Sequence, residues 1–511
     1  MNWRTKAENK FETFSDWLYD NATKAILIIV IFVAALGSQL PTLKMDTSTE
    51  GFLHKTNPMR IEYDVFRDQF GRDEKLMIAV KTDSIFNLGF LKKLDSFHSV
   101  LEDELPHIKG VDSLINARNT FGIEGELIVK PLIDDLPETQ EEISRLKSTI
   151  TNNSFYKNLL YSEDFTMTTV TIDTQTYSNA DAISEDVNID FDEYIDFDEP
   201  LDFDEYIDFD AEAQVDQSAP RLYLSDAEND EIILKTQQIM ERFNDNNFEI
   251  YLSGSAAIAG IFKQALMNDA VVFISLMMVI IMIVLYALFR RISGVFLPLI
   301  CVGLTLITTV SLMAVFSAPF TMATQIMPTF LLAVVTSAAI HLLAIFYKDL
   351  IRTKDKKASL RYAMGHSGLA IVMTSLTTAA GLWSFSFSSV APVADLGVFA
   401  SSGVLVGLLF TLVFLPALIA KTNFAHLEQK ADVEGNTLMD RVLLGISKVG
   451  TGRPKLIVAI SAILIIFAAV VATQLRFSHF PLQWLPEDNF ARIATETVDE
   501  NLGGALTLEV I

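Results

Sequence analysis

The chain has 511 residues, a formal net charge of −25 and a mean hydropathy of +0.33, with half of its residues apolar. That is too apolar for an ordinary soluble multidomain protein. The acidity argues against nucleic acid as a partner, because phosphate binding calls for Lys and Arg, and the single cysteine, Cys301, leaves no intrachain disulfide.

Residues 1–23 read as a short cytoplasmic lead, an interfacial helix with Trp3, Phe11, Phe14, Trp17 and Leu18 on its apolar side. Seven apolar stretches can each cross about 30 Å of hydrocarbon at about 1.5 Å per residue. They are Ala25–Leu40, Ala270–Phe289, Ile292–Phe316, Thr324–Tyr347, Leu369–Ser388, Leu396–Ala420 and Leu456–Thr473. The first is longer than the apolar region of a secretory signal and six more follow, so it is read as an uncleaved anchor. In domain terms the expectation is a first span at 24–43, an external α+β domain at 44–267, and a five-helix bundle at 268–421. A cytoplasmic linker at 422–455 with an amphipathic helix near Leu438–Val449 follows, then a seventh span at 456–474 and a second external domain beginning at 475–511. Lys and Arg gather before the first span, at Arg290-Arg291, at Lys348–Arg361 and between the sixth and seventh spans. They are absent from the short loops near Ser317–Thr321 and Ser388–Val393. This distribution predicts a cytoplasmic N-terminus in a cell membrane of the bacterial inner type, with the large domain on the periplasmic side.

Inside the external domain, Lys75–Lys81, Ile108–Ile115, Phe165–Asp173 and Phe248–Leu252 read as strands, and Leu88–Leu101 and Ser225–Phe243 as helices. Two β-α-β patterns in sequence suggest two small sandwiches of helices on a sheet, so the fold expected is a polytopic α-helical membrane protein with a ferredoxin-like, porter-like α+β domain outside the cytoplasm. An acidic insert at 185–212 interrupts the second. Its segment Ile189–Glu212 repeats IDFDEY with little change, and removing its 12 acidic side chains from the total of −25 leaves −13. The plain reading is a solvated loop whose like charges repel. The sharper reading, weak Ca²⁺ capture by carboxylates, lacks EF-hand spacing and its turn glycine.

No P-loop, nucleophile elbow or metal-spaced Cys/His cluster is present, so neither enzyme, cofactor nor metal is expected. Polar side chains at membrane depth are the functional candidates instead. Thr336, Ser337 and His341 lie in the fourth span, with Ser337 and His341 four apart on one helix face. Thr374, Ser375, Thr377 and Thr378 lie in the fifth. His341 is the side chain best able to change charge near neutral pH. The alternative is that the hydroxyls back-bond to helix carbonyls and that His341 is an interhelical hydrogen-bond donor.

An internal repeat runs at an offset of 432 residues. Phe52-Leu53, Asn57, Ile61, Phe70-Gly71, Leu76 and Ile78 match Trp484-Leu485, Asn489, Ile493, Leu502-Gly503, Leu508 and Val510. The expectation is a duplicated module, of which the sequence covers one copy and the start of a second. The missing C-terminal half would be its pseudo-symmetric partner, and homo-oligomers are a further option.

The chain resembles the resistance–nodulation–division (RND) superfamily, nearest its MmpL-like branch, with a bundle similar to the sterol-sensing domain of Patched-like proteins. The match is carried by Leu252-Ser253-Gly254, Ala338–Leu343, Gly368–Ile371, Thr374–Gly381, Leu396-Gly397 and Leu415–Leu418, in that order. The resemblance implies proton-driven alternating access and export of lipid-like or hydrophobic molecules, taken up through a cleft between two external subdomains. It also implies a proton-carrying Asp four residues before His341, where this chain has Ser337, which does not titrate in the physiological range. Ser337, His341, Thr374, Thr377 and Thr378 are thus the coupling candidates. A lipid-responsive sensor or scaffold without transport and an accessory subunit of protein export are the alternative functions.

Overall fold

The computed structural model describes residues 3–46, 50–70, 75–123, 126–133, 136–152, 156–178, 224–424, 438–475 and 485–504. The acidic insert at 185–212 lies outside the described residues, as do Gly71, Trp484, Leu508 and Val510 of the repeat. The chain divides into two compact units. One comprises Met1–Lys44, Val272–Ser388 and Val393–Leu485, and the other Met45–Val271, Ser389–Pro392 and Pro486–Ile511.

The second unit is built on one antiparallel sheet. Its strands are β1 (Leu76–Lys81), β2 (Ile108–Ser113), β5 (Met167–Thr174) and β6 (Glu249–Ser253), in the order β2-β5-β1-β6. Helix α4 (Leu88–Glu104) connects β1 to β2, and α6 (Asp226–Phe243) connects β5 to β6. The two β-α-β units therefore interleave: β5 of the second inserts between β1 and β2 of the first. This is the split β-α-β, ferredoxin-like arrangement. The ferredoxin-like α+β expectation is met, in one sheet rather than in two separate sandwiches, so the cleft expected between two sandwiches is not formed. Each unit alone would leave the facing edges of its strands unpaired, and interleaving pairs these inner edges within one ladder, with β2 and β6 at the outer edges.

Strand alternation sets the two faces of this sheet. Leu76, Ile78 and Val80 of β1 join Val170, Ile172, Ile250 and Leu252 against Leu94, Phe97 and Leu101 of α4 and Ile232 and Ile239 of α6. The opposite face carries Met77, Ala79 and Met167, which pack against Val498 and Leu502 of α15 (Phe490–Leu502). Helix α4 starts at Asn87, whose side chain accepts from the amides of Gly89 and Phe90, and α6 starts with a capping box of Ser225 and Glu228. The ends of the acidic segment are tied together, because the amide of Leu224 donates to the carbonyl of Thr176 at 3.1 Å. The elements α3 (Pro58–Phe70), the hairpin β3 (Arg118–Ile123) and β4 (Glu126–Pro131), and α5 (Gln140–Asn152) complete the unit.

The other unit is helical. It holds α1 (Trp3–Asp20), α2 (Ala22–Gly37), the second half of α7 (Ser255–Phe289), α8 (Ile292–Val315), α9 (Ile326–Thr353) and α10 (Lys356–Trp383). Then come α11 (Ala391–Leu409), a π-helical turn at Phe410–Phe414, α12 (Leu415–Lys421), α13 (Leu438–Gly452) and α14 (Pro454–Ala472). Among the described residues, seven helical stretches are long and apolar enough to span a membrane, and the chain is a multi-pass membrane protein. Helix α7 starts at Ser255, well before the predicted start of its span, and continues unbroken into it. The π turn has a local cause. Pro416 lacks an N–H and its ring crowds the carbonyl four residues back, so the helix widens ahead of it.

Helix α1 packs on the first turns of α10 rather than lying free. Gly365 and Gly368 leave room for Glu12 and Phe11, and Lys357–Asp20 and Arg361–Asp16 pair at 2.6 and 3.7 Å. Its buried residues are Ser15 and Leu18, whereas Trp3 and Trp17 are exposed. The glycine gaps admit the Phe11–Ser15–Leu18 stripe, and the bulkier indoles face outward.

The 432-residue offset recurs in the helices. Both α1 and α13 end in register at Asp20 and Gly452, α2 and α14 begin in register at Ala22 and Pro454, and α3 and α15 match at both ends. Asn57 accepts from the amide of Met59 at 3.0 Å, and Asn489 does the same for Ala491 at 2.9 Å. The surroundings differ: α1 and α2 pack into the bundle, while the described residues of α13 and α14 are exposed along their lengths.

Two predictions follow from the sheet unit. Gly254 closes β6 at φ +95°, and a Cβ there would lie 2.5 Å from the Lys75 carbonyl oxygen and 2.8 Å from the Met77 nitrogen. Gly254→Ala is expected to destabilise this unit by about 2 kcal/mol or more, read as a lower Tm of the purified protein. His98 is buried and its Nδ1 lies 3.0 Å from the Ser113 hydroxyl. Burial pulls its pKa below the ordinary 6.5, against the opposing pull of Glu102, Asp95 and Asp112. Its neutral form is the folded one, so its contribution to stability is complete above pH 6.5 and is lost as the pH falls from there through the folded-state pKa. Thermal melts between about pH 7.5 and about pH 5.5 should show this loss, and His98→Gln should flatten it.

Candidate functional site

Helices α9 and α10 are antiparallel neighbours joined by Lys354-Asp355. Lys354 takes the left-handed conformation at φ 55°, and Asp355 caps α10 by accepting from the amides of Lys357 and Ala358. At about 1.5 Å per residue, Ser337 lies about 24 Å from this turn, Thr374 about 27 Å and His341 about 18 Å. The candidates thus occupy similar depths on two adjacent helices.

Their exposure separates them. On α9, Leu331, Leu332, Val335, Ala339, Leu342 and Leu343 face the interior of the bundle, whereas Ala333, Ser337, His341 and Ala344 form an exposed stripe. On α10, Thr374 and Thr377 are exposed and Thr378 half-buried, while Ser375 and Ala379 face inward. The structure therefore places Ser337, His341, Thr374 and Thr377 on the outer surface of the helical unit.

Hydrogen bonding divides them again. Thr374 donates back to the carbonyls of Ala370 and Ile371 at 2.9 and 3.0 Å, and Thr377 to those of Met373 and Thr374 at 3.0 Å. These hydroxyls are satisfied within their own helix. Among the described residues, no hydrogen bond or ion pair joins Ser337 or His341 to another side chain. An imidazole on the outside of a membrane helix is costly unless it meets a protein partner or a water-filled path.

Two groups, His366 and Thr411, were not singled out by sequence reasoning. His366 is exposed on α10, about 15 Å from the turn, with its ring stacked on Tyr362 at 5.8 Å. Its signal was its place within the fifth hydrophobic helix, hidden because the span was started at Leu369. Thr411 lies in the π turn, buried and without a hydrogen-bond partner for its hydroxyl, as is Thr336 on α9. Thr411 is the one polar residue in the run Leu408–Phe414, a readable signal, but the π geometry around it is not encoded in periodicity. Among the described residues, no group of three or more His, Cys, Asp or Glu could hold a metal ion.

The one thiol, Cys301, is wholly buried. The native chain is therefore expected to resist a small maleimide in detergent, whereas Ser337→Cys and Thr377→Cys should each take up one label. Failure of both to react, measured by mass, would mean that the stripe is covered.

Residues 220–438 match the MMPL family model, a stretch that runs from α6 through the bundle to the start of α13. The chain is 20% identical over 412 residues to the membrane protein MJ1562 of Methanocaldococcus jannaschii, covering 77% of this chain and 89% of that protein. It is 25% identical over 195 residues to the mycolic acid-containing lipids exporter MmpL11 of Mycolicibacterium smegmatis, covering 36% of this chain and 20% of that exporter. The second likeness thus spans only a fifth of its relative. With these matches and seven candidate spans among the described residues, the chain is a multi-pass membrane protein whose residues 220–438 are similar to the MMPL family.

Proposed function

We propose that this protein is an RND-type transporter that moves lipid-like or hydrophobic molecules by proton-coupled alternating access, with the α+β unit on the periplasmic side. The observation that carries the proposal is the unpartnered Ser337–His341 stripe at membrane depth. The likeness to a lipid exporter supports the substrate class, and the distribution of Lys and Arg supports the orientation.

In this reading the stripe is closed by a second helical bundle, the partner that the 432-residue repeat calls for, and His341 lies in the seam. Imidazole protonation there would add a charge that favours a hydrated seam, and deprotonation would favour a dry one. Either state biases one arrangement of the two bundles, which is what coupling requires. Ser337, one turn away on the same face, would supply a hydroxyl near the imidazole, and Thr374, Thr377 and Thr378 would line the neighbouring helix.

His341→Ala is expected to reduce ΔpH-driven substrate flux in proteoliposomes by about tenfold or more, within the ~10²–10⁴-fold range typical of losing an acid–base group softened by residual paths. His341→Gln should behave the same way, because it keeps hydrogen bonding but not titration. Wild-type flux in both variants would remove His341 from the mechanism.

Ser337 favours a second reading. Without a titrating group at that position, the bundle could respond to lipid without a transport cycle. Ser337→Asp separates the two: a transporter should retain or gain proton dependence, whereas a sensor should show no flux with or without a pH gradient.

A further inference from the structure

The link between α10 and α11 belongs to the α+β unit. Residues Ser389–Pro392 group with that unit, although the helices on either side of them lie in the helical one. Val390 is joined there to Leu53 by an antiparallel bridge. The link is short: a 3₁₀ turn at Ser384–Phe387 follows α10, and α11 starts at Ala391. Gly397 of α11 lets that turn press against the helix, since a Cβ there would lie 2.6 Å from the Ser386 nitrogen and 2.8 Å from the Phe385 carbonyl carbon. A displacement at the end of α10 is therefore passed to Val390 with little slack.

On the other side of the bridge, α3 holds Leu53. The Nη1 of Arg60 donates to the Leu53 carbonyl at 3.1 Å. Asn57 accepts from the Met59 amide and donates its own amide to the His54 carbonyl at 2.8 Å. These bonds tie residues 53–60 to the start of the helix. At the far end of α3, Asp68 accepts from the Tyr177 hydroxyl at 2.7 Å. Tyr177 follows β5 and adjoins Thr176, whose carbonyl closes the base of the acidic segment. Between these ties the helix is not set into a core, because none of residues 58–69 is buried. A helix fixed at its ends and free along its length moves as a rod. Leu53, Asn57 and Arg60 recur at the repeat offset as Leu485, Asn489 and Arg492, although α15 buries a face on the sheet and α3 does not. The repeated spacing thus belongs to the entry into the helix and not to its packing.

We infer that the Val390–Leu53 bridge is a clip that couples α10 to the sheet of the α+β unit, through Arg60, the rod α3 and the Asp68–Tyr177 bond at the end of β5. Arg60 is a positioning residue in this path. Every step is a named contact, which meets the physical requirement that coupling run through a connected network. The use of the path rests on the transport reading: α10 carries Thr374 and Thr377 and neighbours the helix of His341, so the clip carries a change at those residues to the unit outside. The path itself does not depend on that reading.

Hydrogen exchange of the full chain in detergent, read by mass spectrometry, tests the path. Val390→Pro removes a backbone donor from the bridge, and Arg60→Ala removes the tie to Leu53. Each should speed amide exchange at Gln175–Tyr177, at the other end of the path, by about threefold or more. Leu53→Cys with Val390→Cys should form a disulfide, because the Cα atoms of an antiparallel pair lie about 4.5–5.5 Å apart. The native thiol, Cys301, is wholly buried and does not compete. In an Arg60→Ala background this crosslink should restore the wild-type exchange rate, and a reductant should abolish the rescue. If Val390→Pro does not fold, Arg60→Ala and its rescue decide alone. Unchanged exchange at Gln175–Tyr177 overturns the proposal, as does a cysteine pair that fails to crosslink or to rescue. Flux in proteoliposomes tests the use: both variants should lose ΔpH-driven flux by about threefold or more, with the half-saturating substrate concentration unchanged. Full flux in variants with altered exchange overturns the coupling role. Absence of flux from the wild-type protein overturns the transport reading instead, and the exchange result then decides the clip by itself.

Discussion

An amide or carbonyl left unpaired in hydrocarbon costs several kcal/mol, and the helical unit is arranged around that constraint. Each of its spans satisfies its backbone internally, and the exceptions sit at proline. Pro416 is accommodated by a π turn, and Pro298 lies buried inside α8. Side chains obey the same rule. Thr305, Thr308, Thr309 and Ser311 of α8 each return their hydroxyl to a carbonyl four residues back, at 2.7–2.8 Å. Against this background of self-satisfaction, the groups that stay unpaired stand out: the imidazole of His341, the guanidinium nitrogen of Arg291, and the hydroxyls of Thr336 and Thr411. The functional reading begins from one of these groups, the imidazole of His341.

The α+β unit answers to a different solvent and closes its ladder in a different way. Water can satisfy a strand edge, so hairpins and open sheets are allowed there. The interleaved order β2-β5-β1-β6 places β1 and β5 at the centre, where both faces are covered: α4 and α6 on one side and α15 on the other. Helix α15 belongs to the second copy of the repeat by sequence but packs on the sheet formed by the first. Its buried face, Ala491, Ala494, Thr495, Val498 and Leu502, is made of small and aliphatic residues that fit a pleated surface, and Thr495 meets Ser253 at 3.3 Å.

What the sequence revealed depended on whether a feature is local. The spans follow from run length and composition, and the strands and helices at β1, α4, β5, α6 and β6 follow from period. Those positions were readable within a few residues. Pairing is not local: nothing in Met167–Thr174 says that it inserts between Leu76–Lys81 and Ile108–Ser113, so two units were expected where one sheet forms. The same holds for α1. Its apolar residues pointed to an interfacial helix, but the gaps at Gly365 and Gly368, more than 340 residues away, decided that Ser15 is buried and Trp17 is not. At the candidate site, helix spacing placed Ser337 and His341 on one face correctly. Whether that face looks into the bundle or away from it depends on every neighbouring helix, and periodicity does not contain it.

The backbone clasp between Leu224 and Thr176 has a consequence for how this protein can change. Joining two points of a chain that are already held together costs an entropy that grows slowly with the length between them, about 0.6 kcal/mol for each doubling. The six-residue acidic unit can therefore multiply or shrink by slippage of its gene while the ferredoxin-like host is thermodynamically almost unaware of it. Charge outside the membrane becomes a quantity that evolution can adjust separately from the fold.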